Sequence, residues 1–313
     1  MDTLPTELLR DILFRCSEYA PVLKETCYAW NETLSDTNTD SVVLFFEQMA
    51  ERGHLDLLQY IGRDRIDDSK IPKILRHAAK GGHLNIMWLA KEWGADDYDD
   101  ALKSAADYGH IDAMHLAKNW GVFSYEYALT RAATNGQIPA MDLLKKWGAT
   151  NFDWALTRAA MNGQIPAMRL LKEWGATIYD DALESAATGG HLEAMCWLKE
   201  CGATNFDEAL NNAAMNGHIL VMHLLNDWGA TNYDDAMANA AANGHIQAVY
   251  LLKEWGATNY DDALAYAATN GQLQVMYLLK AFGATNYNRA MNAASMNQQT
   301  QAINILKNWG ATS

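Results

Sequence analysis

The sequence predicts an all-α fold, an α-solenoid of about ten helix-turn-helix repeats preceded by a small helical domain. Three observations carry that prediction. Gly94, Gly121, Gly148, Gly175, Gly202, Gly229, Gly256, Gly283 and Gly310 stand 27 residues apart. Within each interval, two apolar patterns of helical spacing flank a Gly or Asn-Gly. Half of the 313 residues are apolar and a fifth are charged, enough for a sizeable core.

Counted from Tyr98, eight repeats fill residues 98–313 and a ninth occupies 71–97, so nine 27-residue repeats cover 71–313. A looser copy of 29 residues, anchored by "ERGHLDLLQYI", covers 42–70. Residues 35–41 are polar and turn-rich and read as a linker; residues 1–34 form the N-terminal domain. Units of this length bury their apolar faces only on one another.

In the repeat at 260–286, the first helix (helix A) places Ala263, Leu264, Ala267 and Ala268 on one face. The second (helix B) carries Leu273, Val275, Met276, Leu278, Leu279 and Phe282, the wider apolar arc of a helix packed on two sides. Thr258 and Asp261 have capping-box spacing at the start of helix A, where the helix dipole also favours acids. Gly271 supplies the left-handed residue that ends helix A. Pro139 and Pro166 fall in the first turn of helix B, where a missing N–H costs little. The tryptophans at repeat position 23 (Trp93, Trp120, Trp147, Trp174, Trp228, Trp255 and Trp309) are expected to fill the seam between helices. On that assignment Trp174→Ala costs about 3 to 5 kcal/mol.

The formal charge of −14, from 38 acidic and 24 basic side chains, argues against nucleic acid as a partner. No apolar run approaches the roughly 18 to 20 residues that span a bilayer, so no membrane segment is expected. Cys16, Cys27, Cys196 and Cys201 are too few for a disulfide scaffold, and "MDTLPTELLRDIL" lacks a signal-peptide pattern. A reducing intracellular compartment, cytoplasm or nucleus, is expected.

The paired acids (Asp99/Asp100, Asp180/Asp181, Asp234/Asp235 and Asp261/Asp262) recur with the period, which assigns them to capping rather than to a catalytic dyad. Histidines at position 13 (His83, His110, His191, His218 and His245) alternate with Gln137, Gln164 and Gln272. That swap keeps hydrogen bonding but not metal ligation, which points to a role in the turn. There is no phosphate loop, dinucleotide fingerprint, zinc-protease motif or nucleophile elbow. No enzyme activity, cofactor or metal is expected.

The phrases "AANGHIQAVYLLKEWGAT" (Ala241 to Thr258) and "AAKGGHLNIMWLAKEWGAD" (Ala78 to Asp96) resemble the ankyrin repeat in their helix A ending, Gly-His turn, "LL" helix and closing "GAD". An ankyrin unit has about 33 residues and opens after a β-hairpin finger. Here only "GATNY"-like text joins the helices, so the finger is expected to be absent. Residues 4 to 34, "LPTELLRDILFRCSEYAPVLKETCYAWNETL", resemble an F-box: a Leu-Pro opening, the amphipathic "ELLRDIL" helix and a later helix with one Trp.

The resemblance implies a substrate-receptor subunit of an SCF-type (cullin) E3 ubiquitin ligase, which performs no bond chemistry itself. Its F-box would dock on a Skp1-type adaptor through Leu4, Pro5, Glu7, Leu8, Ile12 and Leu13, while the repeats hold a target protein. The pairing resembles that of large DNA viruses that redirect host ubiquitination, which implies a host-cell location and a host protein as target. The other reading of the same residues is a plain solenoid scaffold or competitive binder, its N-terminal helix acting only as a cap. Either form is expected to be a monomer outside its complexes.

Binding information should sit where the repeat varies without need of the fold, at positions 2, 3, 6, 7 and 10 of helix A. There Arg76, His77, Lys103, Arg131 and Arg158 form a basic strip, with Tyr127 and Trp154 interleaved and Tyr266 further along. Arginine with exposed aromatics is the composition of interface hot spots, so an acidic target protein is expected, an ordinary solvated helix face being the alternative. Position 18 (Trp88, His115, Asp142, Arg169, Cys196, His223, Tyr250, Tyr277 and Asn304) varies equally. In the last repeat Gln298 replaces the turn Gly, beside polar Gln299, Thr300 and Gln301, as expected of a water-facing terminal repeat.

Overall fold

A computed structural model describes residues 46–312. The F-box-like region with Leu4, Pro5, Glu7, Leu8, Ile12 and Leu13, and the linker, lie outside the described residues. Among the described residues every regular element is a helix and no strand occurs, as the short joint predicts. The chain divides into two compact units, the first ending at Thr150 and the second beginning at Asn151.

In the first unit the looser copy contributes a helical stretch at 46–51, helix Leu55–Ile61 and two 3-10 turns, Arg63–Arg65 and Asp68–Lys70. Three regular A/B pairs follow: Ile71–Gly81 with Leu84–Glu92, Tyr98–Tyr108 with Ile111–Asn119, and Glu126–Thr134 with Ile138–Trp147. The second unit holds six: Phe152–Met161 with Ile165–Trp174, Tyr179–Gly189 with Leu192–Glu200, Phe206–Met215 with Ile219–Asp227, Tyr233–Ala242 with Ile246–Trp255, Tyr260–Thr269 with Leu273–Phe282, and Tyr287–Met296 with Thr300–Asn308.

Within each unit, helix A packs on its own helix B and on the A helices of neighbouring repeats, whereas B helices touch one another only lightly. Alanine makes that asymmetry possible. Ala209, Ala213 and Ala214 are wholly buried with Leu210, and their small side chains let A-helix backbones approach closely. Val221, Met222 and Leu225 of helix B close the same core.

Both helices of a repeat end in the same hydrogen-bonded stop. At the end of helix A in the 260–286 repeat, Gln272 N–H donates to Ala267 C=O (2.9 Å) around Gly271, at φ +68°. At the end of the preceding helix B, Ala257 N–H donates to Leu252 C=O (2.9 Å) around Gly256, at φ +109°. Gln298 takes the Gly271 role in the last repeat and, at φ +55°, is the one non-glycine with positive φ among the described residues. The turn therefore imposes the left-handed conformation even on a side chain that resists it.

The start of helix A differs from the expected capping box. Asn259, not Thr258, is the cap, its Oδ1 accepting from Asp262 N–H at 3.3 Å. Asp261 reaches forward instead: its Oδ1 accepts Thr285 N–H (2.7 Å) and Asn286 N–H (2.8 Å), the joint that leads into the next helix A. Asp180, Asp207 and Asp234 make the same pair of bonds to residues 24 and 25 positions later. In these four repeats the first acid is thus an inter-repeat staple. The second is left for other uses.

Position 13 performs the turn role its His/Gln alternation predicts. His218 Nε2 donates to Thr188 C=O (2.9 Å) and His245 Nε2 to Met215 C=O (3.0 Å), both at the end of the preceding helix A; Gln272 Nε2 reaches Ala242 C=O at 3.4 Å. The ring rests on the preceding turn glycine so closely that a Cβ on Gly217 would meet His245 Nδ1 at 2.7 Å.

The tryptophans at position 23 correct the expectation of a filled seam. They are half-buried, and the core consists of the Ala, Leu, Met and Val positions above. From Trp120 onward the rings instead meet aromatic neighbours along the B-helix ends. Trp120 lies 5.1 Å from Tyr98 and 5.3 Å from Trp88, with Lys91 Nζ 4.7 Å over its face. Trp228 pairs with Phe206 at 5.4 Å under Lys199 (4.4 Å), and Trp309 with Tyr287 and Tyr277 under Lys280 (4.5 Å). Partly exposed ammonium–ring contacts are worth about 0.5 to 1 kcal/mol each, so they supplement the core rather than replace it. Where Cys201 stands in place of the Trp, Lys172 Nζ meets its Sγ at 3.1 Å and the buried Trp197 ring at 5.6 Å.

Two stability measurements check this account. Asp180→Ala, which removes two backbone acceptors, should cost about 1 to 2 kcal/mol in urea denaturation, and Asp181→Ala within about 0.5 kcal/mol of nothing; equal losses would contradict the staple. Leu225→Ala should cost about 3 kcal/mol and Trp228→Ala about 2 kcal/mol, a smaller loss than full burial predicts. The reverse order would restore the tryptophan to the core.

Candidate functional site

With positions 4, 5, 8 and 9 committed to the core, helix A turns positions 3 and 7 outward, while positions 6 and 10 are partly exposed in some repeats and buried in others, as at Thr130, Asn211 and Asp107. In the first unit this face carries Arg76, His77, Lys103, Tyr127 and Arg131, and nearly every basic group there has an acidic partner. His77 Nδ1 lies 3.0 Å from Glu51 and its Nε2 3.3 Å from Glu47, and Arg76 reaches only that ring, at 3.4 Å. Lys103 Nζ bonds Asp100 at 2.8 Å and stands 5.7 Å over the Tyr127 ring, itself 66% exposed. That ammonium holds the Asp100 carboxyl below the usual carboxylate range.

Arg131 pairs with Asp107, which is only 8% exposed, through Nε at 2.8 Å and through a second guanidinium nitrogen. Asn135 Nδ2 adds a bond to the same carboxylate at 2.9 Å. Arg131 therefore neutralises a buried charge, and removing it would leave Asp107 buried and uncompensated. In the first unit the basic strip is thus largely committed to ion pairs, at His77, Lys103 and Arg131, rather than being a free positive field.

In the second unit the same face is open. Trp154, about half exposed, carries the Arg158 guanidinium 5.3 Å from its ring centre. These residues line a cleft of about 480 Å³ together with Met161, Asp181, Glu184 and Thr188, the variable positions of two successive A helices. Tyr266, 52% exposed, lies further along the same unit and does not line this cleft. Sequence reasoning singled out Trp154 and Arg158 but missed Asp181, assigned with Asp180 to capping, and Glu184, which belongs to no recurring pair.

The cleft is short of cations. Asp153 is engaged as a staple to Thr177 N–H (2.7 Å). Among the described residues no basic side chain forms an ion pair with Asp181, Glu184, Glu208 or Asp235. Burial pushes the Glu184 carboxyl up, and the nearby charges of Glu208 and Asp181 push it further; Asn205 Nδ2, donating to its Oε1 at 2.7 Å, works the other way.

Among the described residues no group of His, Cys, Asp and Glu could hold a metal ion, and no helix is long and apolar enough to cross a membrane.

Because its carboxyl is raised, Glu184 favours the folded state most when protonated, and that contribution fades as pH rises from the ordinary glutamate value through the raised one. Glu184→Gln should therefore be more stable than wild type at pH 7, with the difference closing near pH 4, about the ordinary glutamate value. Urea midpoints at the two pH values check this, and a Gln variant less stable at pH 7 would refute it. Comparison with known proteins finds no matching family model and no matching characterised protein.

Proposed function

We propose that this chain is a protein-binding receptor whose A-helix face holds a target protein and whose N-terminal segment docks a Skp1-type adaptor, making it the substrate-recognition subunit of an SCF-type ubiquitin ligase. The observation that carries the binding role is the division of labour along each repeat. Positions 2, 4, 5, 8, 9, 12 and 13 staple, pack or turn, while positions 3 and 7 change from one repeat to the next and are never buried among the described residues; positions 6 and 10 also vary but are buried in some repeats. Trp154, Tyr127 and Tyr266 are large, exposed and unneeded by the core, which suits them to anchor a partner.

The adaptor role rests on the F-box-like text of residues 4 to 34, and the repeats on their likeness to ankyrin repeats without a finger. Arg76, His77, Lys103 and Arg131 support an acidic target less well than their charges suggest, because they are already paired or held within the strip.

Co-purification with the adaptor tests the first half: Leu4→Ala combined with Leu8→Ala should abolish it. Adaptor binding that ignores both substitutions, or no adaptor at all, would make the protein a binding scaffold outside the ligase. For the second half, Trp154→Ala should lower target capture about tenfold with an unchanged melting temperature, the scale of a hot-spot residue. Arg131→Glu cannot serve here, since it would place two carboxylates together at Asp107.

A further inference from the structure

The target-binding reading leaves open what chemistry the second unit's cleft selects, and its charge answers that. Of the residues lining it, Arg158 is the one cation, and it is occupied with the Trp154 ring and with Met161 Sδ at 3.7 Å. Asp181 and Glu184 face the cleft without a cationic partner. The acceptor surplus continues into the next repeat. Asn205, bonded to Glu184, precedes the helix that carries Glu208 and Asn211. Asn211 is 7% exposed and donates Nδ2 to Glu208 Oε2 at 3.2 Å, which orients the amide and leaves its Oδ1 with no donor. From Asp181 to Glu208 this face carries three carboxylates; Glu184 and Glu208 meet side-chain amides, from Asn205 and Asn211, and none of the three meets a cation among the described residues.

We propose that this cleft seats an arginine side chain of the target protein, its guanidinium between Glu184, Asp181 and Glu208 and its aliphatic stem along Trp154. A guanidinium presents five donors in a planar fork, matching several carboxylates at once, where an ammonium is a single point charge. The half-exposed indole supplies the apolar wall that such a stem covers. The groups around Glu184 agree: burial raises its carboxyl first, and the like charges of Glu208 and Asp181, which an incoming cation would offset, raise it further. The inference rests on the receptor reading for its occupant, but its chemistry can be measured apart from it.

Binding of nona-arginine, nona-lysine and nona-glutamate peptides is measured by calorimetry on the full chain, with Trp fluorescence as a second readout. Nona-arginine should bind more tightly than nona-lysine, and nona-glutamate not at all. Glu184→Gln combined with Glu208→Gln should weaken nona-arginine at least tenfold, while the charge-matched control Asp227→Asn with Glu254→Gln, on B helices, changes it less than twofold. Equal losses in the two pairs would reduce the effect to net charge and overturn the proposal, as would equal affinity for lysine. If the double variant does not fold, Asp181→Asn, exposed and without a structural partner, should still weaken binding severalfold; no change would be as damaging. A target protein that the folded double variant captures as well as wild type would overturn the arginine seat and leave the receptor reading standing. Discrimination among the peptides without any capturable target would do the reverse.

Discussion

In the second unit a single carboxylate oxygen that accepts two backbone N–H groups of the following joint ties one helical pair to the next from Asp153 through Asp261. The joint is five residues of "GATNY"-like text, too short to form a strand pair, and while its Gly, Ala and aromatic N–H groups bond locally, those of its Thr and Asn reach the preceding repeat. An aspartate at position 2 meets them, and position 13 meets the carbonyl at the end of the preceding helix A. Because both bonds cross between repeats, no repeat is complete alone. The alanine-rich A layer then follows, since only with the joints fixed can backbones be held close enough for small side chains to close a core.

Much of this was legible. Helix positions, the turn at Gly271 and the equivalence of His and Gln at position 13 follow from periods of three to four residues or from a recurring substitution, all local signals. What sequence reading misjudged lies at long separations. Asp261 looks like a cap because Thr258 stands three residues before it; its partners, Thr285 and Asn286, are 24 and 25 residues ahead. Arg131 looks like free charge until Asp107, 24 residues back, is seen beneath it. The tryptophans look like core because bulk and apolarity do not reveal that a ring will lie at the edge of the helix pair, under a lysine from the previous repeat.

The electrostatics of the outward face follow from the same scaffold. Where a repeat supplies both an acid and a base at positions 3, 6, 7 or 10, they meet, as Asp100 and Lys103 do. Where it supplies acids only, as at Asp181 and Glu184, the stapling duty already performed by Asp180 leaves them unneeded by the fold. The charge of the face can thus differ from one repeat to the next, and the cleft beside Trp154 differs from the Tyr127 surface although the backbones correspond.

Gln298 bears on how such an array can grow. Interior turn glycines lie under the ring or amide of the next repeat, and a Cβ on Gly163 would collide with His191 Nδ1 at 2.7 Å. A repeat bearing a side chain at that turn is therefore a poor template for internal duplication: copied inward, it would push aside the residue that locks the following repeat. Lengthening the array by unequal exchange is open to the glycine-bearing repeats and closed to the one at 287–313, which gives the repetition a direction that its near-identical text conceals.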